Sequence, residues 1–316
     1  MGRRRPCRVV SLAGLCALVL VAGSAAGVAA CSSSGSGSTG QNGKTPAARF
    51  AAVLGHHATG LAATVAQRGT LLVGEDPEFA PQSSLDDAGT WSGFDIDVAR
   101  KLGAALGLKV KFVKLDWARV PAALAADRYD VAVSSIATDP RPSGKLAFAA
   151  PYTWSVAEVA VRQDGAALTT LGQLKGKTIG VGAATSFQRF LEAAGGVSVA
   201  LYASDADVLP DVANGTIAGA MTATTTAASE RASGEQITAT GPGFFYQPQA
   251  FAVRPNEADL VAVLNSAVKT MHADGTLSTL SKKWYHGLDV SKPPAAGVPT
   301  FTKALALLKA GTYPLD

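Results

Sequence analysis

Beyond residue 68 the chain alternates short apolar runs with stretches of helical spacing. Residues 70–73 read as a strand, closed by the polar loop Gly74-Glu75-Asp76-Pro77-Glu78-Phe79. Asp86 to Gly89 has turn composition. Gly93-Phe94-Asp95-Ile96-Asp97 opens a helix running to Leu106, with Phe94, Val98, Leu102 and Ala105 on one stripe and Gly107 as its stop. Residues 109–113 set Val110 and Phe112 against lysines, as a half-buried strand does. Asp116 suits the cap of a helix through Leu124, and residues 131–135 supply the next strand. The order β-α-β-α-β implies right-handed crossovers and a mostly parallel sheet.

A second unit of the same kind follows. Residues 156–161 form a strand and 171–177 a loop. Residues 178–181 form a strand that ends in Gly182-Ala183-Ala184-Thr185-Ser186, and 187–194 are a helix with apolar Phe187, Phe190 and Leu191. Residues 197–202 and 217–222 add strands around a 205–213 helix. Residues 251–253 are a return strand, and helices at 257–273 and 277–285 close the fold. Two α/β lobes with two crossings, near residues 155 and 248, are implied.

Between the units lies YDVAVSSIATDPRPSGKLAFAAPY, residues 129–152. A buried strand here breaks at Ser134-Ser135 into a proline-stiffened loop carrying Arg141. In open α/β sheets ligands sit outside the carboxyl ends of strands, so hydroxyls and a guanidinium there are candidates for binding.

Composition is globular, at 47% hydrophobic and 16% charged over 316 residues. Four of the 28 basic residues and none of the 24 acidic ones lie in the first 30 positions, so the remainder is neutral. A neutral body gives no basic face for nucleic acid, and no such partner is expected. Cys7, Cys16 and Cys31 are the only cysteines, which leaves the body without a disulfide or a thiolate metal site. His56 and His57 are adjacent and diverge on a helix, so no metal or cofactor is expected.

Residues 1–30 order a basic start, an apolar run from Leu12 to Ala22 and a small-residue stretch, as a secretory signal peptide does. The Val28-Ala29-Ala30-Cys31 end resembles the lipobox of bacterial lipoproteins, which implies cleavage before Cys31 and lipidation of its thiol. The Gly/Ser-rich run 32–44 is a flexible tether, and the Ala-rich stretch 47–67, with Phe50, Val53, Leu54, Leu61 and Val65, reads as a short helix interrupted by Gly55. The expected division is leader 1–30, lipidated Cys31 with tether to 66, first lobe 67–155, second lobe 156–248, return of the first lobe 249–292, and a tail 293–316. The tail has helical spacing from Phe301 to Leu308 but no assigned role.

The pieces RGTLLVGEDPEFAP, GFDIDVARKLGAALG, DW followed by PAAL, YDVAV, FAAPY, LKGKTIGV and ADGTLSTLSKKWY occur in an order that resembles solute-binding protein family 3. These are the substrate receptors of polar amino-acid ABC importers. The resemblance covers residues 68–285 and implies a type II periplasmic-binding-protein fold, two lobes joined by a two-segment hinge that closes on a small solute. It implies that Asp76 takes the solute's ammonium, that Phe79 stacks on it, and that Ser134 and Ser135 hydrogen-bond it. Thr185 and Ser186 fall at a helix N-terminus suited to a carboxylate. Alternatively, they are merely caps. Trp117 matches a buried structural residue, and Trp154 is a candidate for the cleft wall.

Two departures bear on the solute. The family's carboxylate-binding arginine aligns with Pro142, and Arg141 stands one place early. The second lobe's ammonium-binding aspartate aligns with Ala223, and the usual glycine before Thr185 is Ala184. These changes point to an amino-acid-like solute other than a common α-amino acid with its free ammonium in the usual place. The expected function is a monomeric, lipid-anchored receptor on the extracytoplasmic face of the cell membrane that delivers its solute to an ABC permease. The alternatives are a dehydratase-like enzyme on the same scaffold or a solute-sensing module.

Overall fold

The computed structural model describes residues 45–116, 119–138, 146–204 and 206–316. Cys31, Trp117 and Arg141, singled out above, lie outside the described residues.

The first sheet has the order β5-β1-β6-β14-β7, from β1 (Thr70–Glu75), β5 (Lys109–Lys114), β6 (Val131–Ala132), β7 (Ala147–Phe148) and β14 (Ala252–Val253). Strands β5, β1 and β6 are parallel, and β14 enters antiparallel between β6 and β7. The second sheet, β10-β9-β11-β8-β12, repeats the plan. It consists of β8 (Thr153–Arg162), β9 (Thr178–Gly182), β10 (Ser198–Tyr202), β11 (Gly219–Ala223) and β12 (Ile237–Ala239). Here β8, arriving from the first lobe, is the antiparallel insert. Each lobe therefore completes its sheet with a strand reached through a crossing. The crossings themselves pair, since β13 (Phe245–Gln249) runs antiparallel to β8 from Ala157↔Phe245 to Thr153↔Gln249. This is the type II periplasmic-binding fold.

Helix α3 (Phe94–Leu106) buries Phe94, Val98 and Leu102 as its stripe implies. Leu106 rather than Ala105 completes the stripe, because Ala105 turns to solvent. Gly93 before it has φ 134°, and a Cβ there would lie 2.2 Å from the Gln82 carbonyl oxygen, so only glycine fits. The helix is fastened to α10 (Thr276–Trp284) through Asp97. That carboxylate accepts from Lys283 Nζ at 2.6 Å and Trp284 Nε1 at 2.9 Å, and the Lys283 bond is the largest of the favourable contacts that hold it below the usual carboxylate range against its burial.

Two segments assigned outside the lobes belong to them. Residues 45–66 are not all tether. Helices α1 (Pro46–Leu54) and α2 (Gly60–Arg68) bury Phe50, Leu61 and Val65 with Leu260, Val263 and Leu264 of α9 (Ala258–Ala273). The joint is polar as well as apolar. The α2 start donates from Leu61 N–H to Glu257 at 2.8 Å, and Thr59 donates from N–H and Oγ1 to Asp259 at 2.8 and 2.7 Å. At the other end, α11 (Phe301–Lys309) packs on α6 (Ser186–Ala194) and puts Phe301 and Ala304 in the second lobe's core. Tyr313 closes this tail by donating to the Phe244 carbonyl.

Other boundaries moved. The 131–135 strand stops at Ala132, because Ser134 and Ser135 take left-handed φ of 54° and 48°. The helix expected from Asp116 starts at Val120 as α4 (Val120–Ala125), and that expected at 205–213 is α7 (Leu209–Ala213). The 171–177 loop contains α5 (Leu171–Leu174), closed by a Thr170/Gln173 capping box. A small sheet of β2 (Glu78–Phe79), β3 (Ser83–Leu85) and β4 (Trp91–Ser92), and α8 (Thr224–Ser233), were not anticipated. No helix among the described residues is long and apolar enough to cross a membrane.

Candidate solute-binding site

Both sheets turn the carboxyl ends of their parallel strands toward the crossings. Ala132 at the end of β6 pairs with Ala252, just past β13, and Ala223 at the end of β11 pairs with Ala157, just past the start of β8. Strand β13 then ties the two halves together. Its Gln247 accepts from Ser186 Oγ of the second lobe at 2.6 Å. One residue on, the Pro248 carbonyl accepts from Thr138 N–H at 2.9 Å, and Ala250 N–H donates to Ile136 at 3.0 Å, both in the loop after Ser135. Residues 247 and 250 of an extended chain are about 10 Å apart. The Ser134 loop and the α6 N-terminus are thus brought to one short strip.

On the first lobe, Asp76 follows β1 and accepts from Glu78 N–H at 2.9 Å, which fixes its carboxylate across the turn. Phe79 is half-buried on β2, held by pairing with Ser83. Ser134 and Ser135 do not aim their hydroxyls outward as expected. Their left-handed backbone turns the side chains into the lobe. Ser134 Oγ donates to Glu75 and accepts from Asp76 N–H at 2.7 Å. Ser135 Oγ donates to Asp95 at 2.9 Å, and Tyr152 Oη donates to the other oxygen of Asp95 at 2.8 Å while accepting from Ser135 N–H. Glu75 and Asp95 are fully buried. Burial pushes the Asp95 carboxyl up to about 7, against the Tyr152 and Ser135 bonds that favour its charge. Burial, with the charge of Asp95 added, holds Glu75 well above the usual carboxylate range.

On the second lobe, Thr185 caps α6. Its Oγ1 accepts from Gln188 N–H at 3.2 Å and donates to the Gly182 carbonyl at 2.7 Å, so the capping reading describes its side chain. The first N–H groups of α6 lack intrahelical acceptors and remain the anion-suited feature of this half. Ala184, where the family carries glycine, has φ 60° and donates N–H to Gln188 Oε1 at 2.7 Å. An alanine in that region costs about 1–2 kcal/mol, so Ala184→Gly is expected to raise unfolding free energy by about 1 kcal/mol in chemical denaturation. Ala223 ends β11 and precedes α8 with no side-chain cap. Trp154 packs its ring at a 50° tilt against His272, at 5.6 Å between centroids, beside the crossing.

Residues 71–287 match the model of the bacterial extracellular solute-binding proteins, family 3. The chain belongs to this family. Over 237 residues it is 32% identical to the L-cystine-binding protein TcyJ of Escherichia coli strain K12, covering 74% of this chain and 88% of that one. A crystal structure of YckB from Bacillus subtilis superposes with a TM-score of 0.65 at 27% identity, covering 75% of this chain and 98% of that one. An ancestral amino acid-binding protein, AncCDT-1, described as a precursor of cyclohexadienyl dehydratase, gives a TM-score of 0.59 at 28% identity, covering 70% and 98%. As a family 3 protein the chain has a substrate-binding role, and the curated relative is a binding protein rather than an enzyme. Glu75, Asp95, Tyr152 and Gln247 were not among the expected site residues. Adjacency of Glu75 to Asp76 was the one signal available, and nothing in the local pattern separated it from a solvated loop acid.

Proposed function

We propose that this protein is the lipid-anchored substrate-binding component of an ABC importer, capturing an amino-acid-like solute between its lobes and delivering it to a permease. The observation that carries the reading is β13, which holds Ser186 of one lobe and the Ser134 loop of the other within a few residues. A zwitterion placed there meets Asp76 on one side and the α6 N-terminus on the other, and so satisfies both charges as burial demands. The relative TcyJ supports a cystine-like solute, and the absence of a carboxylate at Ala223 supports one other than a common α-amino acid. Arg141 is the proposed guanidinium partner of the solute carboxylate, and Phe79 its stacking surface.

Thermal-shift screening of L-cystine and the twenty standard amino acids tests this. A true solute at about 100 times its dissociation constant adds roughly 2.7 kcal/mol. Asp76→Asn is expected to weaken that solute about 10- to 100-fold, as loss of a charged partner does. Submicromolar binding of a standard amino acid would overturn the solute assignment while leaving the receptor role intact. For the anchor, Cys31→Ser is expected to leave an uncleaved or mislocalised precursor in membrane fractions. A wild-type protein with an unmodified N-terminus, released in full to the medium, would refute lipidation.

A further inference from the structure

Glu75 closes β1 and Asp95 sits in the first turn of α3, and each is fully buried. Among the described residues, the groups acting on them come from several elements. They are each other, Ser83 of β3, Ser134 and Ser135 beyond β6, and Tyr152 before β8. Tyr285 at the end of α10 lies in the field of both. None of these groups is a cation. Among the described residues Glu75 Oε2 is buried with no hydrogen-bond partner, whereas Oε1 takes the Ser134 hydroxyl. Two ionised carboxylates in that setting would be uncompensated, so the pair retains a proton. Through Ser134, Glu75 also holds the N–H of Asp76, the residue assigned to the solute's cation.

We propose that Glu75 is a positioning residue for the first-lobe half of the site, and that capture of a solute's cationic group at Asp76 expels a proton held by the buried Glu75 and Asp95 carboxyls. This rests on the solute-binding reading above and adds a requirement to it: the group presented to the first lobe is an ammonium or guanidinium. The proton passes to solvent, the pair goes from one negative charge to two, and the solute cation compensates the second. Neighbouring residues of an extended segment diverge, so a cation on the Asp76 carboxylate lies on the order of 7–10 Å from the Glu75 carboxylate. At that range and an effective dielectric of about 20, ionisation is favoured roughly 15- to 50-fold.

The test is calorimetry on the purified full-length chain with L-cystine, L-arginine and L-histidine, in phosphate and in Tris at pH 7. Expected for a probe that binds is release of between about half and one proton per solute, with affinity rising about tenfold from pH 6 to pH 8. Glu75→Gln keeps an oxygen for Ser134 and removes one of the two carboxyls, so the proton release and the pH dependence should fall clearly below the wild type's, the remainder coming from Asp95. Ser134→Ala is expected to weaken binding but keep the proton release, which separates positioning from linkage. Binding without proton release in the wild type, or equal release in Glu75→Gln, overturns the proposal but not the receptor role. Should none of the three probes bind, the Glu75 carboxyl carbon resonance of the free protein decides. Titration near neutrality or above supports the proposal, and titration in the ordinary range near 4.3 overturns it.

Discussion

Raising the pH from 5 to 8 is expected to destabilise the solute-free protein by about 3 kcal/mol through Asp95 alone. Its carboxyl is pushed from 3.8 to about 7 in the folded state by burial. Between those two values the folded state binds more protons than the unfolded chain, so stability falls as pH rises through the window and levels off above it. Glu75, displaced in the same direction, adds to the fall. Asp97 and Asp289 are held below their ordinary value, so their contributions are lost only in stronger acid and do not offset the trend. Urea denaturation at four pH values measures this, and Glu75→Gln should make the slope shallower by removing the Glu75 share while leaving that of Asp95. A stability that is level from pH 5 to 8 would mean that the pair is charged at no cost. In that event the proton linkage proposed for solute capture has no source.

Phe301→Ala is expected to cost about 3–4 kcal/mol, the usual price of emptying a buried phenylalanine site. Phe301 is nearly fully buried, packs 5.0 Å from the Phe245 ring, and has the Arg189 guanidinium 5.0 Å over its face. Because Phe245 stands at the head of β13, the loss should concentrate in the second lobe and its crossing. Hydrogen exchange should show faster opening of α6 and β13 amides, with α9 in the first lobe protected as before. Uniform loss across both lobes would mean that the protein unfolds as a single cooperative unit. No loss would mean that the 293–316 segment is an appendage.

The family motifs look different once their partners are known. GFDIDVA, FAAPY, YDVAV and KKWY are read in sequence as markers of a binding protein, and they do mark the family. In the folded chain their polar members serve the first lobe's interior. Asp97 ties α3 to Lys283 and Trp284, while Asp95 joins Tyr152 to Ser135. The motifs are recognisable because they hold one scaffold together, whereas the loops beside them carry the residues proposed for the solute. That is why Ser134 and Ser135 matched the binding loop and yet turned their hydroxyls inward.

The sequence by itself determined the family, the two-lobe α/β plan and the order of the principal helices and strands. Each of these is written in local periodicity or in motif order, and neither needs a distant partner to be read. Tertiary structure decided where the lobes begin and end. Phe50 and Phe301 lie in segments that look like tether and tail, and the surfaces they meet explain their burial, α9 for Phe50 and α6 with β13 for Phe301. It also decided which polar groups turn into the first lobe. A serine or glutamate at a strand end can point to either side. The left-handed turn at residues 134–135 and the depth of Glu75 beneath Asp76 arise from packing between strands some 60 residues apart.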